Sequence, residues 1–284
     1  MAESAAPGSF AARVATAVAA TGPLCAGIDP SSDLLQRWGL PDHPAGLRRF
    51  GSACVEAFAG VVPVIKPQVA FFERFGSAGM VALESVIAEA RSAGLLVIGD
   101  AKRGDIGTTM EAYASAWLDP DSPLAVDAVT ALAYLGLGAL EPLFDLAAPQ
   151  GRGVIVVVRS SNPEGRTLQE ARTDRGRGPA VEDQLLGAIA DLNRGSRAGT
   201  VGAVVGATLE PSAFPLPELG GVILAPGVGA QGAGAAEVGA LFAGCPAGSV
   251  LASASRSVLG AGPTVAGLAQ AARVARDEMA AALS

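Results

Sequence analysis

Short apolar runs alternate with longer amphipathic stretches along almost the whole chain. The runs fall at 24–28, 61–65, 95–99, 125–132, 154–158, 201–207, 221–225 and 249–254. Each is short, continuous and bounded by turn residues, the pattern of a strand buried on both faces. The run at 154–158 is entirely β-branched, Val-Ile-Val-Val-Val. Between the runs, apolar residues recur at helical spacing: Leu47, Phe50, Cys54, Val55 and Phe58 within 44–60, and Met80, Leu83, Val86, Ile87 and Ala90 within 77–93. Further helices are predicted over 106–118, 138–148, 180–194 and 264–282. Phe10, Val14 and Val18 predict a short N-terminal helix before the first strand.

Eight strands alternating with helices, in units of roughly 30 residues, predict a single (β/α)8 barrel across 1–284 with a short N-terminal helix. No shift in composition marks a domain boundary. The polar stretch 162–179, with Arg166, Arg172, Arg175 and Arg177, reads as a long loop that is either a lid or a disordered crossing.

Composition narrows the function classes. Half the residues are hydrophobic and 5% aromatic, which favours close-packed helices and strands over a base-stacking surface. A net charge of −7 argues against binding nucleic acid, while leaving room for one small phosphorylated ligand. Cys25, Cys54 and Cys245 are odd in number and widely spaced, so no disulfide framework or zinc site is expected. The single histidine, His43, sits in the turn-like Pro41-Asp42-His43-Pro44, which excludes a multi-histidine metal site and argues against a Ser-His-Asp triad. Glu3 and the lack of a basic cluster argue against a signal peptide. Residues 124–140 are interrupted by Asp127, Gly136 and Gly138, too broken for a membrane helix of about 20 residues. A cytoplasmic protein is expected.

The chemistry concentrates just after the third run, where Asp100, Lys102, Arg103 and Asp105 come after Gly99. Four charges at the end of a buried strand neutralise one another or do work. Asp100 and Lys102 share a face, since alternate strand residues do. Either a strand-end salt bridge or a reaction centre would account for them in isolation. In a barrel, the C-terminal strand ends converge on one mouth. Asp29, Lys66, Asp100 with Lys102, Ser160 and Ser161, Gln231 and Arg256 all lie at or just beyond such ends.

After the seventh run comes Pro226-Gly227-Val228-Gly229-Ala230-Gln231-Gly232. It matches the dinucleotide pattern Gly-x-Gly-x-x-Gly, but that site wants an acid about 20 positions on. The next run ends in Ser255-Arg256 instead. Loops after strands seven and eight of a barrel frequently bind phosphate, through backbone amides and an arginine fork. A plain flexible loop is the alternative.

The stretch Asp100-Ala101-Lys102-Arg103-Gly104-Asp105-Ile106-Gly107-Thr108-Thr109 resembles the signature Asp-x-Lys-x-x-Asp-Ile-x-x-Thr of the orotidine 5'-phosphate decarboxylases. Gly27-Ile28-Asp29-Pro30, Val64-Ile65-Lys66-Pro67, Arg159-Ser160-Ser161-Asn162-Pro163 and the glycine loop resemble that family's other blocks, in order. The likeness runs from about residue 10 to 280 and is greatest to the longer bacterial subgroup. It implies conversion of orotidine 5'-phosphate to uridine 5'-phosphate, the last step of de novo pyrimidine nucleotide synthesis, without metal or cofactor. It further implies a homodimer with shared active sites. Lys66, Asp100, Lys102 and Asp105 would form a charged array, with Asp105 supplied by the neighbouring subunit and Lys102 protonating the pyrimidine carbon. Asp29 would meet the ribose, Ser161 the base, and Gln231 and Arg256 the phosphate. Pro226 and Gly227 would complete the substrate contacts, and Ile106 and Thr109 would cross the dimer.

The chain departs from the family after the fourth run, where Leu132 and Ala133 replace a polar residue and a proline before Tyr134-Leu135-Gly136. No role is carried over to them. The related sugar-phosphate decarboxylases and hexulose-phosphate synthases look to a magnesium ion held partly by an acid at the end of strand two. Lys66 stands there and repels a cation. A catalytically silent nucleotide-binding barrel is the other alternative, though such barrels normally lose a charge from the array.

Overall fold

The computed structural model describes residues 8–229 and 232–284. Eight parallel strands close into a barrel in sequential order, β1 pairing with both β2 and β8. They are β1 Leu24–Ile28, β2 Val64–Pro67, β3 Leu96–Arg103, β4 Ala128–Ala131, β5 Gly153–Arg159, β6 Val201–Val205, β7 Ile223–Pro226 and β8 Val250–Ala254. The principal helices are α1 Phe10–Thr21, α2 Pro44–Phe58, α3 Gly76–Ser92, α4 Gly107–Leu118, α5 Glu141–Ala147, α6 Val181–Arg194, α7 Ala235–Leu241 and α8 Val265–Ala282. The expected (β/α)8 barrel with an N-terminal helix is therefore observed, except that a single 3-10 turn, Leu216–Glu218, replaces a helix between β6 and β7.

Several boundaries differ from the expected ones for physical reasons. β3 runs four residues past Gly99, through the charges themselves, because those charges find partners on neighbouring strands. β4 stops at Ala131, leaving Leu132 outside the sheet and exposed. The 162–179 segment is not structureless: it carries a short helical turn at Arg166–Gln169 and a tight turn at Thr173–Gly176 with Asp174 and Arg175 in left-handed backbone, and an antiparallel bridge from Arg172 to Ala180 closes it. His43 lies on the surface, as expected, and caps α2, its Nδ1 accepting from Ala45 N at 3.4 Å ahead of Pro44 in the first turn.

The barrel interior is one layered cluster, with Cys25, Val64, Ile98, Ala128, Ile155, Val204, Leu224 and Leu251 contributed strand by strand. This is why the strands read as unbroken apolar runs. The N-terminal helix belongs to the same core. Phe10 and Val14 plug the barrel's lower end, and Phe10 stands where Gly153 lacks a side chain: a Cβ there would lie 2.3 Å from the ring. Arg13, one turn on from Phe10, pairs with Asp127 and donates to Gly151 O at 3.1 Å, tying α1 across the bottom. A second cluster packs the helices onto the outside of the strands, with Trp38 stacked on Phe50 at 4.1 Å between centroids.

Phe10→Ala should therefore behave as a core truncation, lowering stability by about 3–5 kcal/mol. Urea unfolding followed by circular dichroism checks this. An unchanged midpoint would show that α1 rests on the barrel without plugging it.

Candidate active site

The C-terminal strand ends open on a cavity of about 280 Å³. Asp29 from the end of β1, Lys66 from β2, Asp100 and Lys102 from β3, Ser161 after β5, Pro226 and Gly227 at β7, and Arg256 after β8 all line it. These side chains are distant in sequence, and the closed sheet gathers them at one mouth.

Asp100 is the hub, and each of its oxygens receives two donors. Oδ2 accepts from Lys66 Nζ at 2.8 Å and from Gln68 Nε2 at 2.9 Å. Oδ1 accepts from Lys102 Nζ at 2.6 Å and from Thr130 Oγ1 at 2.9 Å. Burial alone would raise the Asp100 carboxyl, but the ammonium groups of Lys66 and Lys102 outweigh it and hold the group well below the usual carboxylate range. Burial alone would likewise lower Lys66, and Asp100, reinforced by Asp29, holds it above the ordinary lysine value instead. Beneath this array lies Cys25, whose thiol burial pushes up to about 12, so it stays neutral.

Lys102 differs from Lys66 in exposure. The Lys66 side chain is 8% exposed, whereas that of Lys102 is 44% exposed and reaches into the cavity. Its backbone is left-handed, with φ at 48°, a conformation uncommon outside glycine. The β3–β4 register shifts across this point, between Gly99 and Arg103. Arg103, the remaining cation of the stretch, turns away. It pairs with Glu73 and lies over the Tyr113 and Trp117 rings.

Asp29 Oδ1 is buried and accepts no hydrogen bond among the described residues, although the cavity reaches this side chain. Beyond the end of β7, two strands round the barrel from β1, Gly227 and Gly229 adopt φ of 104° and 73°, which only glycine does at little cost. Gly229 N donates to Ala233 O at 2.9 Å, folding the loop back on itself. Arg256 makes no ion pair among the described residues and opens the short helix Arg256–Leu259. Gln231 lies outside the described residues.

Three expected site residues do not line this cavity. Asp105 accepts from its own neighbour, Ile106 N, at 2.8 Å. Ile106 is 62% exposed, and Thr109 is exposed on the first turn of α4. Beside them lies the loop after β4, where Leu132 N donates to Arg103 O at 2.8 Å. Leu132, Tyr134 and Leu135 are all exposed there, Tyr134 by 80%. The departure at Leu132 thus falls on an apolar surface next to Ile106 and outside the cavity.

Two contributors are not evident from the sequence, Gln68 and Thr130. Gln68 stands two residues beyond Lys66, a period-two signal obscured because the apolar run that marks the strand stops at Ile65. Thr130 resembles ordinary β-branched strand material, and no sequence signal sets it apart.

The family model for the orotidine 5'-phosphate decarboxylase / HUMPS family matches residues 22–271. A Salinispora tropica orotidine 5'-phosphate decarboxylase is 54% identical over 271 residues, 95% of this chain and 96% of its own length. The Corynebacterium efficiens protein of the same name is 50% identical, over 96% of each chain. A crystal structure from Streptomyces avermitilis, 49% identical, superposes with a TM-score of 0.91 over 97% of this chain and 96% of that one.

Asp100→Asn would leave Lys66 buried without its counter-charge and should cost about 3–5 kcal/mol of stability at neutral pH. Asp100 titrates below its ordinary 3.8 in the fold, and Lys66 above its ordinary 10.5. Their contribution is therefore complete between those values, and it is lost as pH falls below the first or rises above the second. Urea midpoints for wild type and variant should differ by a constant amount from about pH 5 to 9, and converge in acid. A gap under about 1 kcal/mol at neutral pH would mean the array behaves as a surface pair.

Proposed function

The chain belongs to the orotidine 5'-phosphate decarboxylase / HUMPS family, and from that membership we propose that it converts orotidine 5'-phosphate to uridine 5'-phosphate and carbon dioxide, with Lys102 as the proton donor and no metal or cofactor. The observation that carries this reading is the Lys102 ammonium, anchored at 2.6 Å on an ionised Asp100 yet open to the cavity.

The chemistry needs such a group. Breaking the bond between the pyrimidine ring and its carboxylate leaves the electron pair on a ring carbon that has no electron sink. A fixed positive charge beside that carbon stabilises the developing anion electrostatically. The same ammonium then gives one proton to the carbon. Asp100 accepts one of the three Nζ–H bonds of Lys102, so two remain for the cavity. Lys66 keeps Asp100 ionised and makes the end of β2 hostile to a cation, which supports the metal-free form of the reaction.

The remaining wall fits the remaining parts of the substrate. The buried Asp29 Oδ1 suits a ribose hydroxyl, which would donate to it. Arg256 and the start of the glycine loop at Gly227 and Val228, all on the cavity wall, suit the phosphate, a site frequent in this fold. Binding energy from that distant phosphate can order loops around the reacting ring. Ser161 stands where the base would lie.

Asp105, Ile106 and Thr109 serve a second copy of the chain in this reading. Their position outside the cavity, beside exposed Leu132, Tyr134 and Leu135, supports a symmetric dimer in which Asp105 completes the neighbour's array.

Protein treated with a chelator should release carbon dioxide from orotidine 5'-phosphate at the untreated rate. Lys102→Ala should lose about 10³-fold or more in kcat. An inactive wild type, or a variant near the wild-type rate, would contradict the mechanism. Mixing Lys102→Ala with Asp105→Ala protein should restore activity through hybrid sites that carry both residues. No recovery after verified subunit exchange would contradict the shared site.

A further inference from the structure

We infer that Thr130 is a positioning residue for the reaction, its hydroxyl clamping the left-handed backbone of Lys102 to the carboxylate of Asp100. This rests on the reading of Lys102 as the proton donor. Thr130 touches no part of the cavity and is wholly buried.

The geometry is a two-way clamp. Thr130 Oγ1 accepts from Lys102 N at 2.9 Å and donates to Asp100 Oδ1, also at 2.9 Å. One hydroxyl therefore spends its donor on the carboxylate and a lone pair on the peptide of the residue that carries the ammonium. The Lys102 N–H needs this partner. Strand β3 changes register against β4 between Gly99 and Arg103, Lys102 is not among the paired positions there, and its amide donates to the Thr130 hydroxyl. A lysine at φ 48° is held in a sparsely populated conformation, which persists only where the surroundings over-determine it. Thr130 supplies that constraint from the neighbouring strand. The same Oδ1 receives both the hydroxyl and Lys102 Nζ, so backbone and ammonium of Lys102 are tied to one point.

The residue type fits this role. Valine has the same shape but can neither donate nor accept, and would leave the Lys102 N–H unpaired. Serine retains the hydroxyl and loses only a methyl group.

Thr130→Val should reduce kcat for orotidine 5'-phosphate by roughly 10–100-fold, because the ammonium loses its fixed placement. KM should stay within about threefold, since Thr130 makes no substrate contact. Thr130→Ser should recover most of the lost kcat. Should Thr130→Val fail to fold, Thr130→Cys replaces it, with its weaker thiol donor giving a kcat between the serine variant and Lys102→Ala.

The pH profile provides a readout that simple loosening of the fold would not move. The charged and titratable groups around Asp100 are Lys66, Lys102 and Cys25, with Asp29 acting on Lys66 and, in the proposed dimer, the partner subunit's Asp105 completing the array. None changes in Thr130→Val, while Asp100 loses one donor to its ionised form, so the acid limb of kcat should move to higher pH than in wild type. A crystal structure of that variant should show Lys102 Nζ displaced from Asp100 Oδ1. Active wild type with an unchanged kcat and acid limb in the folded Thr130→Val variant would overturn this inference alone. Inactive wild type would overturn the proposed function and this inference with it.

Discussion

A buried carboxylate with every acceptor position filled is the constraint on which the rest of the site depends. Asp100 receives two donors on each oxygen, from Lys66 and Gln68 at the end of β2, Lys102 on β3 and Thr130 on β4. Removing Asp100 would strand a buried lysine, and removing the lysines would strand a buried carboxylate. Three adjacent strands must therefore end in register for the charges to be tolerated at all. The closed barrel provides that register by packing one interior side chain per strand, from Cys25 round to Leu251, over the Phe10 plug.

The two lysines on one carboxylate divide the work. Lys66 is almost wholly buried and acts through its charge, holding Asp100 ionised. Lys102 leaves the strand in a left-handed conformation and stays open to the cavity, so its remaining Nζ–H bonds face the space where a substrate would lie. A regular strand residue would have continued along the sheet. The strained backbone is the local cost of aiming an ammonium from a strand end, and it sits where strain commonly serves function.

Much of this is legible in the chain itself, because strands buried on both faces leave continuous apolar runs and the fold turns each run's end toward one mouth. Asp29, Lys66, Asp100, Lys102, Ser161 and Arg256 are all polar residues at or just beyond the end of such a run, and that position alone marks them. Thr130 and Gln68 carry no such mark. A threonine inside a strand is indistinguishable from other β-branched filler, and its role depends on a register shift that appears only once β3 and β4 are paired. The end of β3 lies beyond its expected place for a related reason: charges stop a strand unless partners across the sheet neutralise them, and those partners lie 28 to 34 positions away. Asp105, Ile106 and Thr109 lie past the end of β3 and do not line the cavity, Ile106 and Thr109 being exposed at the surface.

The ionised state of Asp100 is the property on which the site's chemistry stands or falls. Carbon-13 labelling of aspartate carboxyls, with the Asp100 signal assigned by its loss in Asp100→Asn, allows that state to be tracked directly as pH is lowered. A carboxyl held by two ammoniums and two neutral donors should take up its proton only well below the ordinary carboxylate range. A step near the ordinary carboxylate value would mean that burial outweighs the donors, and that the array does not hold Lys102 as an anchored cation.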